Sequence, residues 1–244
     1  TANVLAAAGA LEKKILILNI TSDKVYKNNE NLEPFNESSE LGGLDPYSCS
    51  KSCAELISHA FFDTYVNKLK LSNLSIANLR AGNVIGGGDF GVNRIIPDIY
   101  RSAKMGEMLQ LRMPYAIRPW QHVLDCLFGY LYALRHISKS EDSISVNFNV
   151  GPQDSNNLTV LDICEQAKKW FPALSLKTNS ELVAESKFLL LDSKLLTQST
   201  GWKPVYDTYK AVEQTFKWYY SFDNGDNIND LVNKDIQDYL TKNN

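Results

Sequence analysis

Ile15-Leu16-Ile17-Leu18-Asn19-Ile20 runs straight into Thr21-Ser22-Asp23-Lys24-Val25-Tyr26, and after a polar stretch comes Asp45-Pro46-Tyr47-Ser48-Cys49-Ser50-Lys51. The first six residues form a nearly continuous apolar run between charges and a polar cluster. That is the pattern of a strand covered on both faces in a parallel sheet. Asp45 is placed to cap a helix with Pro46 in its first turn, and the amphipathic stretch from Tyr47 to about Lys68 supplies that helix. Strand, polar loop from Thr21 to Leu44 and helix together make a βα unit.

Outward from this unit the alternation continues. Val4 to Leu11 reads as the end of a helix, and Leu74 to Leu79 as the next strand, which leads into the glycine-rich Gly82-Asn83-Val84-Ile85-Gly86-Gly87-Gly88-Asp89. Periodicity predicts a helix around Arg94 to Ala103, a short strand near Leu109 to Arg112, a helix from Gln121 to Ile137 and a strand from Ser145 to Val150. Further helices are expected at Leu158 to Trp170 and Tyr206 to Tyr220, and a short strand at Phe188 to Leu191. Asp192 caps a short helix that Gly201 closes, and the polar tail after Asn224 is expected to pack loosely. Strands alternating with helices argue a parallel α/β sheet, and the irregular glycine-rich insertions argue a smaller second domain interleaved with it.

The bulk composition narrows the partners. With 244 residues, 44% of them hydrophobic, the chain can bury a sizeable core, which excludes wholesale disorder. A net charge of −3 leaves no basic footprint, so nucleic acid is not an expected partner. No apolar run approaches the roughly 18 to 20 residues that cross a bilayer, so no membrane partner is expected either. Cys49, Cys53, Cys126 and Cys164 form no CxxC pair and have no ligand-spaced histidine. They read as reduced thiols of a cytoplasmic protein with no metal site.

The candidate chemistry sits where the strand runs out. Tyr47 and Lys51 are four apart in the first turns of a helix, hence on one face, and a nearby cation favours a phenolate that can act as a general base. Ser22, Asp23 and Lys24 supply a hydroxyl, a carboxylate and an ammonium in succession beyond the carboxyl end of a strand, where open α/β sheets bind ligands. Taken singly, the tyrosine–lysine pair is an exposed helical pair and the triplet an ordinary polar turn. Their conjunction is the signal. His122 reads as a packed histidine, Trp218-Tyr219-Tyr220 as core, and Trp202 as a plug.

Strand, then Thr21-Ser22-Asp23-Lys24-Val25-Tyr26, then Pro46-Tyr47 with Lys51, resembles the extended short-chain dehydrogenases that act on nucleotide sugars. The resemblance implies an NAD cofactor, with Ser22 as partner of the sugar 4-hydroxyl, Tyr47 as base, and Lys51 as the cation holding the phenolate and the nicotinamide ribose. Asp23-Lys24 is similar to the 4,6-dehydratases of that family, with Asp23 as acid to the leaving 6-hydroxyl and Lys24 as base at the 5-position. Lys in place of the more usual Glu resembles the branch that acts on CDP-glucose. Arg80-Ala81-Gly82-Asn83-Val84-Ile85-Gly86-Gly87-Gly88-Asp89, Arg94-Ile95-Ile96-Pro97-Asp98 and Ile117-Arg118-Pro119-Trp120-Gln121-His122-Val123 agree with that branch. Asn83, Arg94 and Arg118 are then the candidates for gripping the substrate pyrophosphate.

The implied fold is a Rossmann-type doubly wound parallel sheet, truncated at its front, with a smaller interleaved C-terminal substrate domain. Residues 1–83, joined by about 121–150, form the partial dinucleotide-binding domain with the catalytic residues, and 84–120 and 151–244 the substrate-binding part. The family's opening GxxGxxG turn has no counterpart in this sequence, because Gly86-Gly87-Gly88 follows a later strand. The chain is therefore expected to be a fragment that by itself binds NAD poorly and is inactive, and the full-length protein is expected to be a homodimer. Another nucleotide-sugar dehydratase or epimerase, or a non-catalytic remnant that binds sugar nucleotides, remains as an alternative.

Overall fold

The structure is a computed structural model. It describes residues 1–28, 30, 32–70, 73–153, 157–178 and 186–243. In chain order these form α1 (Ala2–Gly9), β1 (Ile15–Ile20), a 3-10 turn (Asp23–Val25) and α2 (Pro46–Phe61), which runs on as a π-helical stretch (Phe62–Lys68). Next come β2 (Leu74–Ala81), β3 (Asn83–Ile85), α3 (Ile95–Met105), β4 (Met108–Leu111), β5 (Trp120–His122), α4 (Val123–Lys139) and β6 (Ser145–Val150). The chain closes with α5 (Val160–Ala167), β7 (Ser175–Thr178), α6 (Lys194–Thr200), α7 (Thr208–Asp223) and α8 (Ile228–Asn243). Among the described residues no helix is long and apolar enough to cross a membrane.

The chain divides into two compact units. Unit 1 comprises Thr1–Gly82, Cys126–Gln153 and Leu190–Lys203, and unit 2 comprises Asn83–Asp125, Asp154–Leu189 and Pro204–Asn244. Unit 1 holds a parallel sheet in the order β1-β2-β6, with β2 buried along its whole length and β1 half-buried at the edge. Side-chain amides reinforce its register: Asn19, Asn78 and Asn147 are cross-strand partners, and Asn19 Nδ2 donates to Asn78 Oδ1 (2.8 Å) while Asn78 Nδ2 donates to Asn147 Oδ1 (2.9 Å). A one-residue slip would send the amides to the wrong faces and break both bonds. One core packs Ala77, Leu79, Phe148 and Val150 against Ala133, Ile137, Leu196 and Trp202, and a second packs Leu74 and Ile76 against Leu5, Phe62 and Val66.

Unit 2 carries two short parallel pairs, β3 with β5 and β4 with β7. Its interior includes Tyr100, Trp218 and Tyr219, with Phe90 and Phe222 against the same rings. Gly87 is required there, because a Cβ at that position would lie 2.1 Å from the Trp218 ring.

Several expectations are corrected. The helix predicted from Gln121 begins at Val123, because Trp120–His122 pairs with Asn83–Ile85 as a strand before the chain turns helical. Phe188 to Leu191 is no strand: Phe188 and Leu191 make isolated bridges to Ile117 and Phe35. The tail after Asn224 is a helix that buries Leu231 and Tyr239, and the Tyr239 hydroxyl donates to Asp125 Oδ1 (2.7 Å). Residues 190–203, grouped with 151–244 from sequence, fall in unit 1. Phe35 is bridged there to the segment around Leu191, its N donating to Leu190 O (2.9 Å) and its O accepting from Asp192 N (2.8 Å), and Trp202 fills the core beside Gly129.

Candidate active site

Five of the eight sequence-derived site residues lie in unit 1 and come together at the carboxyl end of β1. Ser22 caps the 3-10 turn, accepting from Lys24 N (3.2 Å) and donating to Asp23 Oδ1 (3.0 Å). Ser22 and Asp23 are buried and Lys24 is exposed. The Asp45 carboxylate accepts from Tyr47 N (2.9 Å) and Ser48 N (3.1 Å), as a helix cap should. The bond from the Ser48 hydroxyl, and after it those from the two backbone N–H groups, hold its carboxyl below the usual carboxylate range. Gly43 lets the chain enter this turn, since a Cβ there would lie 2.3 Å from Ser48 Cβ.

Tyr47 therefore projects from the first turn of α2 with 51% of its surface exposed. Lys51 Nζ donates to Ile20 O (3.2 Å), which ties the helix to the end of β1, and lies 5.8 Å from the Tyr47 ring centroid. Lys24 Nζ lies 5.9 Å from the same centroid. Two ammonium groups thus flank one accessible phenol, beside a buried hydroxyl–carboxylate pair. This arrangement can hold negative charge on an oxygen placed over Tyr47 and can give or take protons there. The phenol and the two ammonium groups could hold the ribose hydroxyls of a dinucleotide by hydrogen bonds.

Asn83, Arg94 and Arg118 lie in unit 2. Asn83 opens β3 and its N donates to Pro119 O (3.1 Å), which sets it beside the segment carrying Arg118. Arg118 is half-buried, with NH1 donating to Ile117 O (2.9 Å) and Lys187 O (3.3 Å). Arg94 stands at the N-cap of α3, exposed and paired with Asp89 (2.9 Å). Nearby, Trp218 packs against Gly87 and Gly88 of the glycine run, and Val123 against Gly86.

Sequence reasoning assigned no role to a buried polar cluster under the site. Arg80, on the carboxyl end of β2, is 1% exposed, and Glu55 of α2 is fully buried. Arg80 Nε donates to both Glu55 oxygens (3.0 and 2.9 Å), NH2 pairs with the same carboxylate, and NH1 donates to Tyr26 Oη (2.8 Å) and Glu37 O (3.1 Å). Glu55 Oε1 also accepts from Thr21 Oγ1 (2.6 Å), and Tyr26 Oη donates to Asn149 Oδ1 (2.6 Å). Burial works against the Arg80 charge, but bonds to Glu55 and Tyr26 hold it above the ordinary arginine value. Burial also pushes the Tyr26 phenol up to about 12. The available signal was an arginine inside an otherwise uncharged strand, Leu74-Ser75-Ile76-Ala77-Asn78-Leu79-Arg80-Ala81, facing a helix with a glutamate one turn beyond Lys51.

Known proteins resemble this chain in sequence and in fold. Over 229 residues the chain is 35% identical to CDP-glucose 4,6-dehydratase of Salmonella typhimurium, covering 92% of this chain and 64% of that protein. It is 24% identical over 212 residues to dTDP-glucose 4,6-dehydratase of Xanthomonas campestris, covering 83% and 57%. The chain thus spans less than two thirds of these relatives. Among solved structures it superposes on UDP-glucuronic acid 4-epimerase from Bacillus cereus with a TM-score of 0.77 at 17% identity, covering 91% of this chain and 66% of that one. It also superposes on dTDP-glucose 4,6-dehydratase from Bacillus anthracis with a TM-score of 0.73 at 20% identity, covering 92% and 66%. These likenesses establish the Rossmann-like α/β fold. Residues 1–151 match the family described as NAD dependent epimerase/dehydratase. A match over more than half of the chain decides the assignment: this chain belongs to the NAD-dependent epimerase/dehydratase family.

Proposed function

We propose that the protein carrying this chain is a nucleotide-sugar 4,6-dehydratase that converts CDP-glucose to CDP-4-keto-6-deoxyglucose with loss of one water. The observation that carries the reading is the juxtaposition of Asp23 and Lys24 with Tyr47 and Lys51 at the end of β1. An oxidoreductase needs the tyrosine and lysine, whereas elimination needs an additional acid and base. CDP-glucose is chosen on the lysine at position 24 and on the likeness to the Salmonella typhimurium enzyme.

NAD, when bound, supplies the acceptor for the hydride of the 4-position and the donor of the hydride that ends at the 6-position. Tyr47 takes the proton of the 4-hydroxyl, and Ser22 orients that hydroxyl. Lys51 holds the phenolate and the nicotinamide ribose. The 4-ketone acidifies the 5-proton, which Lys24 removes as the neutral amine, its ammonium proton having first passed to solvent. Asp23 donates a proton to the departing 6-hydroxyl, so that water leaves; Lys24 returns its proton to the 5-position, and the proton held by Tyr47 passes through solvent to restore Asp23. Asn83, Arg94 and Arg118 grip the pyrophosphate, for which a guanidinium fork is suited.

Among the described residues the four cysteines form no disulfide, which supports a reducing, cytoplasmic setting. We also assign the protein as a homodimer built on α2, because opposite its buried Ser48, Ser52, Glu55 and Ser58 that helix exposes Cys49, Cys53, Leu56 and Ile57. Assaying the protein with NAD against CDP-, TDP-, GDP- and UDP-glucose tests the central reading. A 4-keto-6-deoxy product from CDP-glucose is the expected result. Conversion of UDP-glucose to UDP-galactose would mean epimerisation, and no turnover of any of the four would leave a non-catalytic sugar-nucleotide binder.

A further inference from the structure

We propose that Arg80 and Glu55, with Thr21 and Tyr26, are positioning residues that hold the Ser22–Asp23–Lys24 turn in register with Tyr47 and Lys51. The inference rests on the function proposed above and concerns how its two halves are kept together. The base and cation of the oxidation, Tyr47 and Lys51, stand on α2, and Ser22 with the elimination groups on the turn after β1. Each half alone could drift against the other, and a misplacement of about 1 Å costs on the order of 100-fold in rate.

The cluster is wired to the chain neighbours of the groups concerned. Thr21 precedes Ser22 and donates to Glu55, which follows Lys51 by one helical turn. Tyr26 closes the turn after Lys24 and accepts from Arg80, whose guanidinium grips the same Glu55. Ser52 Oγ adds a direct clamp to Val25 O (2.8 Å). Arg80 itself is anchored in β2, the fully buried central strand of the sheet, so the cluster is referred to the middle of the sheet. Stability alone does not explain it, because a buried ion pair is often no better than well-packed apolar residues of similar volume. What the pair adds is direction: a planar fork and a carboxylate that accept only one arrangement of their partners.

Thr21→Val and Tyr26→Phe each remove one hydroxyl and leave the Arg80–Glu55 pair in place. In the protein carrying this chain, each should lower kcat about 10-fold to 100-fold with KM changed less than about 2-fold. The loss should fall on the 5,6-elimination, read as exchange of the 5-proton in single turnovers, more than on the 4-oxidation, and Thr21→Ser should restore it. The second readout needs no turnover. Amide hydrogen exchange of Lys24, Val25 and Gly42, whose N–H groups bond to Ser22 Oγ, Ser22 O and Val25 O, should speed up about 10-fold or more in Thr21→Val while β2 amides keep their protection. Unchanged kcat in both variants, or unchanged exchange in that turn, overturns the proposal. Failure of the parent protein to dehydrate any nucleotide sugar overturns the function instead, and the exchange measurement then still decides the positioning.

Discussion

At the carboxyl end of β2, unit 1 encloses an arginine, a glutamate, a threonine, a tyrosine and an asparagine in one hydrogen-bonded cluster, whereas unit 2 fills its interior around Gly87 with Trp218, Tyr219 and Tyr100. The aromatic interior gains free energy from area removed from water, which is largely indifferent to direction. The polar cluster gains little net free energy but is intolerant of misalignment. Damage to the first should therefore appear mainly as lost stability, and damage to the second that strands no buried charge as lost activity out of proportion to stability. That contrast can be broken by experiment.

The largest effect belongs to the group nearest the chemistry. Tyr47→Phe should lower kcat by about 10²- to 10⁴-fold, while the thermal midpoint stays put because half of the residue's surface is in solvent; steady-state kinetics beside a melting curve decide this. Glu55→Ala strands the Arg80 charge and should cost about 3–5 kcal/mol in urea unfolding. The sharper variant is the pair Glu55→Leu with Arg80→Met. It should recover most of that stability and none of the activity. Recovery of both would erase the distinction between the two interiors.

On the other side of the comparison, Trp218→Ala should cost about 3–5 kcal/mol and Gly87→Ala about 1–3 kcal/mol through overpacking. Because the added Cβ meets the indole, the second change should cost much less once the first is made, and a double-mutant cycle on unfolding midpoints reads that coupling.

The smallest effect is a pH dependence within unit 2. Burial raises Asp125 to about 6 against the pull of bonds from the Tyr239 hydroxyl, Val205 N and Tyr206 N, while burial lowers His122 to about 4. The folded aspartate value lies above the unfolded one, near 3.9. Asp125 therefore favours folding increasingly as pH falls from about 6 towards 4. The folded histidine value lies below the unfolded one, near 6.5. His122 therefore disfavours folding over almost the same fall in pH. Asp235, also raised to about 6 by burial and then by Asp238, acts with Asp125. His122→Phe should accordingly raise the urea midpoint at pH 4.5 relative to pH 7 when compared with the parent, and Asp125→Asn should lower it. A shift of the same sign in both variants would show that these groups do not oppose each other.

Legibility followed the range of the interaction. The strand at Ile15, the Asp45 cap, the Gly201 stop and the four-residue spacing of Tyr47 and Lys51 are effects of a few adjacent residues, and the structure has the strand, the cap and the stop where the sequence puts them. The strand at Trp120–His122 was hidden because a three-residue strand carries too little periodicity to separate from the helix it enters. The helix at Ile228–Asn243 was hidden because its exposed face is polar enough to resemble a tail, while its anchor, Tyr239 on Asp125, lies 114 residues away in sequence.

The sequence by itself determined the strand, the polar turn and the helix that carry Ser22, Asp23, Lys24, Tyr47 and Lys51, because caps, turns and side-chain periodicity act over one or two turns of chain. Only the tertiary structure decided that Arg80 meets Glu55, and that Tyr26 meets Asn149 across 123 residues. Such meetings depend on the register of a parallel sheet whose strands are joined by long crossovers, and no local pattern encodes that register. The groups proposed for the chemistry are legible in the chain, and the frame that holds them to a common geometry exists only in the fold.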